Sequence, residues 1–246
     1  MKEPVDYMQT DSRWAGTKYA AKGENTTIKS SGCGTTCAAM VIAGLKDKTV
    51  NPVTTANWSM RHGYKAYHQG TYYSYFVPQF KAYGIECKQL NSFSIYHGSN
   101  SARSINSLAT NAVKNGKWVI CCMGKGDWTR SGHFILWYKN DGNNAVIFDP
   151  NSKRKSRRYA PIPKLQYQVK YYWVIDTEED EMTQAEFNKM MDNYLTQLSV
   201  TTPGDWSKTA RDWGYNNDVM TDGAYKRFLT REEAISMLYR YDKTKK

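Results

Sequence analysis

A cysteine at the start of an apolar helix is a candidate nucleophile, and residues 31–40, S-G-C-G-T-T-C-A-A-M, contain one. Glycines bracket Cys33, two threonines follow, and an apolar run from Cys37 to Ala43 can form a buried helix. With that helix beginning near Gly34 or Thr35, the Cys33 sulfur lies at its positive end, where free N–H groups and the helix dipole favour a thiolate. A buried, inert cysteine opening a core helix fits the same pattern. The groups available to partner the sulfur decide between the two.

Of the four histidines, His62, His68 and His97 sit in polar, turn-rich stretches, whereas His133 opens the apolar run G-H-F-I-L-W-Y. A side chain at the mouth of a strand can face a cleft while the residues behind it are locked in a core. The next apolar run ends in I-F-D-P, and Asp141-Gly142 between the two is a natural tight turn. An antiparallel hairpin about that turn puts Asp149 within about one residue of direct pairing with His133. His133 can then take the Cys33 proton and return it to a leaving amine, while Asp149 holds the ring in one tautomer. The oxyanion needs donors, which the Cys33 backbone N–H and the Gln9 amide can supply.

These residues need elements to position them. The segment before Cys33 is polar and reads as an extended arm, with Gln9, Asp11, Arg13 and Trp14 suited to being pinned against a core. Helical patterning covers residues 35–45, and Asn51-Pro52 marks a turn before a short helix over 55–62. Aromatics at 72, 73, 75, 76, 80 and 83 predict a helix that packs Phe76, Phe80 and Tyr83 on one side and stops at Gly84. A short strand is expected over 85–90 and a helix from Ser101 or Ser104 to Asn115. Strands then follow over 118–123, 133–138, 145–148 and 169–175. Helices followed by a meander of strands make an α+β arrangement. Lys153, Arg154, Lys155, Arg157 and Arg158, between the last two strands, read as a solvated loop.

Beyond Asp176 the character changes. Residues 178–181, E-E-D-E, form an acidic hinge, and Thr183 with Glu186 caps a helix to Leu198. A second helix fits 206–213, and Thr230 with Glu233 caps a third running to Tyr241. Two modules are expected, 1–176 carrying the chemistry and a small all-helical 182–246 that buries little surface alone and so docks on the first module or on a partner.

The motifs D-Y-M-Q-T-D-S-R-W-A, G-C-G-T-T-C-A-A-M, G-H-F-I-L-W-Y and V-I-F-D-P-N-S together resemble the C39-like group of papain-fold cysteine peptidases, over about residues 5–175. The resemblance implies a papain-like α+β fold with Cys33 as nucleophile, His133 as base, Asp149 as its partner and Gln9 completing the oxyanion hole. Thr35 stands where such proteins more commonly have proline, and the Gln9-to-Cys33 separation of 24 is longer than in papain-type enzymes. In the tail, G-D-W-S-K-T-A-R-D-W-G-Y-N-N-D-V-M and F-L-T-R-E-E-A-I-S-M-L-Y-R-Y resemble one S-layer-homology-type unit or the C-terminal segments of phage lysins.

Charge narrows the partner. Residues 1–175 hold 24 Lys and Arg against 9 Asp and Glu, a balance of +15, while 176–246 hold 10 against 14, a balance of −4. The basic module should prefer a polyanion such as nucleic acid, an anionic membrane surface or an anionic cell wall, unless it is a solvated surface without a partner; with the resemblance, the expected partners are peptidoglycan and anionic wall polymers, nucleic acid being disfavoured. The expected activity is therefore a cysteine hydrolase cutting an amide bond in peptidoglycan, as endopeptidase or N-acetylmuramoyl-L-alanine amidase, from a phage or prophage. A protease acting on a polypeptide is one alternative, and a catalytically inactive wall-binding protein another.

Five scattered cysteines suggest neither a disulfide framework nor zinc. No H-E-x-x-H or phosphate-binding glycine loop occurs, so neither metal nor cofactor is expected. No run of 18 apolar residues exists, which leaves no expectation of integral membrane contact. The first twenty residues lack the apolar core of a signal peptide, and the expectation is synthesis in the cytoplasm with holin-type release to the wall.

Overall fold

The computed structural model describes residues 2–98, 100–177, 184–200, 204–219 and 231–244. The chain divides into two compact units, Met1–Glu179 and Asp180–Lys246.

The first unit is built on one six-stranded antiparallel sheet. In chain order its strands are β1 (Cys87–Gln89), β2 (Trp118–Met123), β3 (His133–Asp141), β4 (Asn144–Phe148), β5 (Tyr159–Pro161) and β6 (Val169–Ile175), and their order across the sheet is β1-β6-β2-β3-β4-β5. Strand β2 is buried at every position, as expected for a run W-V-I-C-C-M with no polar face. Its neighbouring cysteines accordingly serve opposite sides. Cys122 joins a core with Phe134, Leu136 and Trp173, and Cys121 joins one with Ile135, Trp137 and Tyr172.

The first core is filled by α2 (Cys33–Leu45) together with α4 (Phe76–Lys81), and the second is covered by α5 (Asn100–Lys114) and α7 (Ile162–Gln168), numbering helices in chain order. Helix α2 is buried almost throughout, because C-A-A-M-V-I-A-G-L has no polar stripe to give to water. Two short elements frame it. Helix α1 (Ile28–Ser31) precedes it, and α3 (Pro52–Arg61) starts where the Asn51 side chain accepts the N–H groups of Val53 and Thr54, an N-cap with proline at the first helical position.

Several expected boundaries move. The expected 72–83 helix is a 3-10 turn, Tyr73–Tyr75, followed by α4, while α3 begins three residues earlier than expected. The basic cluster read as a solvated loop instead forms α6 (Lys155–Arg158), and β5 and α7, which follow it, carried no expectation. These pieces are too short to show a helical or strand period in the sequence.

The second unit contains α8 (Gln184–Val200), α9 (Lys208–Asn216) and α10 (Arg231–Thr244). Trp213 and Tyr241 meet edge to face at 5.6 Å. Phe187, Met190, Ile235 and Leu238 are exposed. The acidic hinge at 178–181, the caps Thr183 and Thr230, and the Glu186 side chain lie outside the described residues.

Candidate active site

Cys33 is the first residue of α2, one position before the predicted start, with Gly32 as N-cap. The two bracketing glycines have separate packing reasons. A Cβ on Gly32 would lie 2.7 Å from the Ile28 carbonyl oxygen, and one on Gly34 would lie 2.9 Å from Thr71 Oγ1 and 3.2 Å from Phe134. The G-C-G motif therefore lets α1 and the 64–72 segment close in on either side of the sulfur. Gly34→Ala should lower stability by about 1–3 kcal/mol, since Thr71 is itself tied to Tyr19; chemical denaturation would measure it. Thr35 is fully buried, donates its hydroxyl to the Gly32 carbonyl at 3.0 Å and so fits the first turn without proline.

His133 opens β3 and is buried, with its Nε2 2.7 Å from Asp149 Oδ1. That bond leaves Nδ1 as the ring atom free to interact with Cys33, which acts on the ring. The route from His133 to Asp149 differs from simple facing residues. A bulge at Tyr138 shifts the β3–β4 register so that Leu136 faces Phe148 and Trp137 faces Ile147. Asp149, just beyond Phe148, thus reaches His133 from a diagonal position, still on the same face of the sheet.

Asp149 is fully buried and held from three other directions. Its Oδ1 accepts the Asn151 N–H at 2.8 Å, its Oδ2 lies 3.4 Å from Arg157 Nη1, and its carbonyl accepts from Arg158 at 3.4 Å. Arg158 in turn grips Asp6 with two bonds of 2.7 and 2.8 Å, and the Arg157 carbonyl accepts the Trp128 indole N–H. These two arginines were missed as site residues. The available signal was their place a few residues after D-P-N-S, where a buried carboxylate needs a cation.

The electrostatics centre on Cys33. Burial pushes its thiol up, but the His133 hydrogen bond and charge, with the Phe134 and Gly34 N–H groups, outweigh burial and leave it below its ordinary value. For His133, burial pushes downward, yet the bonds to Asp149 and Cys33 prevail and raise it to about 9. The arrangement favours a thiolate beside an imidazolium. All five cysteines are free. Burial alone drives Cys87 up to about 12, and it is the leading cause of the raised values at Cys37, Cys121 and Cys122.

Gln9 is buried between the two halves of the site. Its N–H donates to the Pro150 carbonyl at 2.8 Å and its Nε2 donates to the Lys29 carbonyl at 2.7 Å, while Oε1 has no partner. One amide proton is left over. The long arm between Gln9 and Cys33 is held by Trp14, whose indole N–H donates to the Met8 carbonyl at 2.7 Å. A pocket of about 650 Å³ lies elsewhere, among Val77, Ile85, Cys87, Leu108 and Val174, and none of the four candidate residues lines it. Among the described residues no group of three or more His, Cys, Asp or Glu is placed to hold a metal.

The sequence profile of the Peptidase_C39 like family matches residues 9–180, from Gln9 through the last strand of the sheet. The chain belongs to that family. It is a cysteine peptidase of papain-like α+β fold. No curated protein matches the C39-like chain. Among solved structures it is similar to a putative C39-like peptidase from Bacillus anthracis, with 14% identity over 73% of this chain and 100% of that one, at a TM-score of 0.43. It is also similar to a double glycine motif protease from an AMS/PCAT transporter in complex with the leader peptide, with 16% identity, 72% and 100% coverage and a TM-score of 0.40. A third is the peptidase domain of Streptococcus ComA, a bi-functional ABC transporter involved in a quorum sensing pathway, with 18% identity, 61% and 93% coverage and a TM-score of 0.39. No helix among the described residues is long and apolar enough to cross a membrane.

Proposed function

We propose that Cys33, His133, Asp149 and Gln9 carry the reaction of this C39-like peptidase and that its substrate is an amide bond of bacterial peptidoglycan. The hydrogen-bonded chain from Cys33 through His133 to Asp149 supports the catalytic half. The Cys33 thiolate attacks the amide carbonyl, and the oxyanion is met by the Cys33 N–H at the start of α2 and the uncommitted Gln9 proton. The His133 imidazolium gives its proton to the nitrogen, the C–N bond breaks, and the amine leaves. Neutral His133 then takes a proton from water as that water attacks the thioester, the C–S bond breaks, the acyl half leaves as a carboxylic acid, and the thiolate is returned beside the imidazolium. Asp149 holds the ring throughout. Gln9→Ala should lower kcat about 10²-fold or more, with little change in KM, which steady-state assays of the folded variant would check.

The charge balance of +15 over residues 1–175 carries the wall assignment, since such a surface suits an anionic polymer. Incubating the reduced protein with Gram-positive walls should release amines. Mass spectrometry of the fragments separates the two bonds, because only amidase action leaves an intact lactyl sugar and a free L-alanine terminus. No release by folded, reduced protein rejects the wall substrate, and cleavage of a polypeptide under the same conditions would establish the protease reading in its place. The resemblance of the tail to lysin and S-layer-homology units supports phage or prophage origin and wall attachment by the second unit.

A further inference from the structure

Residues 64–72 form a strap that meets the nucleophile at one point. The strap is closed by the Tyr72 N–H to the Tyr64 carbonyl at 2.9 Å and the Ala66 N–H to the Gly70 carbonyl at 3.0 Å. A Cβ on Gly70 would lie 3.1 Å from the Ser31 carbonyl oxygen and 4.0 Å from Cys33 Sγ. Main chain, with no side chain in the way, therefore runs beside the sulfur.

The strap is held by a buried ion pair that the reaction itself does not use. The Lys65 and Glu24 side chains are 3% and 0% exposed and 2.8 Å apart. Lys65 Nζ spends all its protons, on Glu24 Oε2, on the Ala66 carbonyl at 2.7 Å and on the Gln69 carbonyl at 2.6 Å. Glu24 also accepts the N–H of Ala21 at 2.8 Å and that of His68. His68 has φ of +52°, a left-handed conformation that costs a non-glycine residue energy and that the Glu24 bond helps to hold. A second tie runs from the Tyr19 hydroxyl to Thr71 and Ser59 at 2.9 Å each. Tyr64 packs on the core at the base of the strap, but the tip is exposed at Tyr67, so the ion pair is the tie that reaches the tip. A buried ion pair is a poor stabiliser but a strict geometric constraint.

His133 must reach the leaving nitrogen, so the departing half of the substrate lies toward His133, and the Gly70 main chain beside the sulfur offers a wall for the acyl half. We propose that Glu24 and Lys65 are positioning residues for substrate: they hold the Gly70 main chain where the acyl half of an extended peptide lies, and they leave the thiolate untouched. This inference rests on Cys33 being the nucleophile.

Two alkylating probes separate the roles. Iodoacetamide needs only the thiolate, whereas acetyl-alanyl-alanyl chloromethyl ketone, whose chloride is displaced by the sulfur to leave a thioether, must also lay its peptide along the acyl wall. In Lys65→Met the rate constant for the ketone should fall at least about tenfold while that for iodoacetamide stays within about twofold. Gly70→Ala, which crowds the same wall without touching the ion pair, should show the same split. If Lys65→Met does not fold, the double variant Glu24→Gln/Lys65→Met, which leaves no buried charge unpaired, carries the measurement. An unchanged ratio of the two rates in a folded variant overturns the proposal, and so does a parallel fall in both. Failure of the wild-type Cys33 to outpace the other four cysteines toward iodoacetamide would instead reject the nucleophile assignment itself.

Discussion

Cys33→Ala should lose turnover by on the order of 10⁴-fold or more while keeping its fold. Every step of the proposed reaction passes through this sulfur. The Gln9 amide and the α2 N–H groups can still bind a carbonyl oxygen, but without Sγ nothing attacks the carbon. The structural cost is small because Cys33 is only partly enclosed and the substitution keeps a good helix former at the first helical position. Circular dichroism and a thermal melt close to wild type, together with absent turnover, would establish the assignment. Retained turnover in this variant would move the nucleophile elsewhere. Cys37, one turn along α2, cannot take over the role, because it is buried and its thiol is pushed well above the ordinary value, chiefly by burial.

His133→Ala should be about as damaging to turnover, since groups that act as one unit are not additive, and it carries a separate signature in the thiol. Burial raises Cys33, and the His133 hydrogen bond and charge are the leading influences that bring it down. Without the ring the thiol moves up, and the iodoacetamide rate at neutral pH should drop about 10²-fold or more. The wild type has a related pH signature. In the proposed reaction the active form has Cys33 ionised and His133 protonated. Raising the pH through about 9 removes the His133 proton, so amide turnover falls because the leaving nitrogen is no longer protonated, while alkylation continues because the thiolate persists. Lowering the pH protonates Cys33 and ends both. The two limbs belong to the coupled pair and not to either residue alone. Parallel pH profiles for turnover and alkylation above pH 9 would contradict the role given to His133.

Long apolar runs made most of the sheet legible from residues alone. The strands 118–123 and 169–175 appear with the expected limits, since W-V-I-C-C-M lies between glycine-bearing turns and V-K-Y-Y-W-V-I is rich in β-branched and aromatic residues, both too short for core helices. The motif around Cys33 was legible because two glycines beside a cysteine have few purposes other than close approach, and packing on Ile28, Thr71 and Phe134 supplies that purpose. Strand order was not legible. A meander places each strand beside the last, but β6 enters between β1 and β2, and no local pattern encodes a crossover. The roles of Arg157 and Lys65 were hidden for a similar reason. Lys65 finds its carboxylate 41 positions away at Glu24, and a basic residue in a polar stretch reads as solvated until its partner is known.

The placement of β6 bears on when the protein can become active. This strand pairs with β1 on one side and β2 on the other, and its Trp173 fills the core that also holds Phe134 and contacts Cys33. A nascent chain still lacking residues 169–175 has two open sheet edges and an incomplete floor beneath the sulfur. The core against which Cys33 packs is thus closed by 169–175, from the C-terminal end of the first unit, and cannot be completed before that stretch has been made.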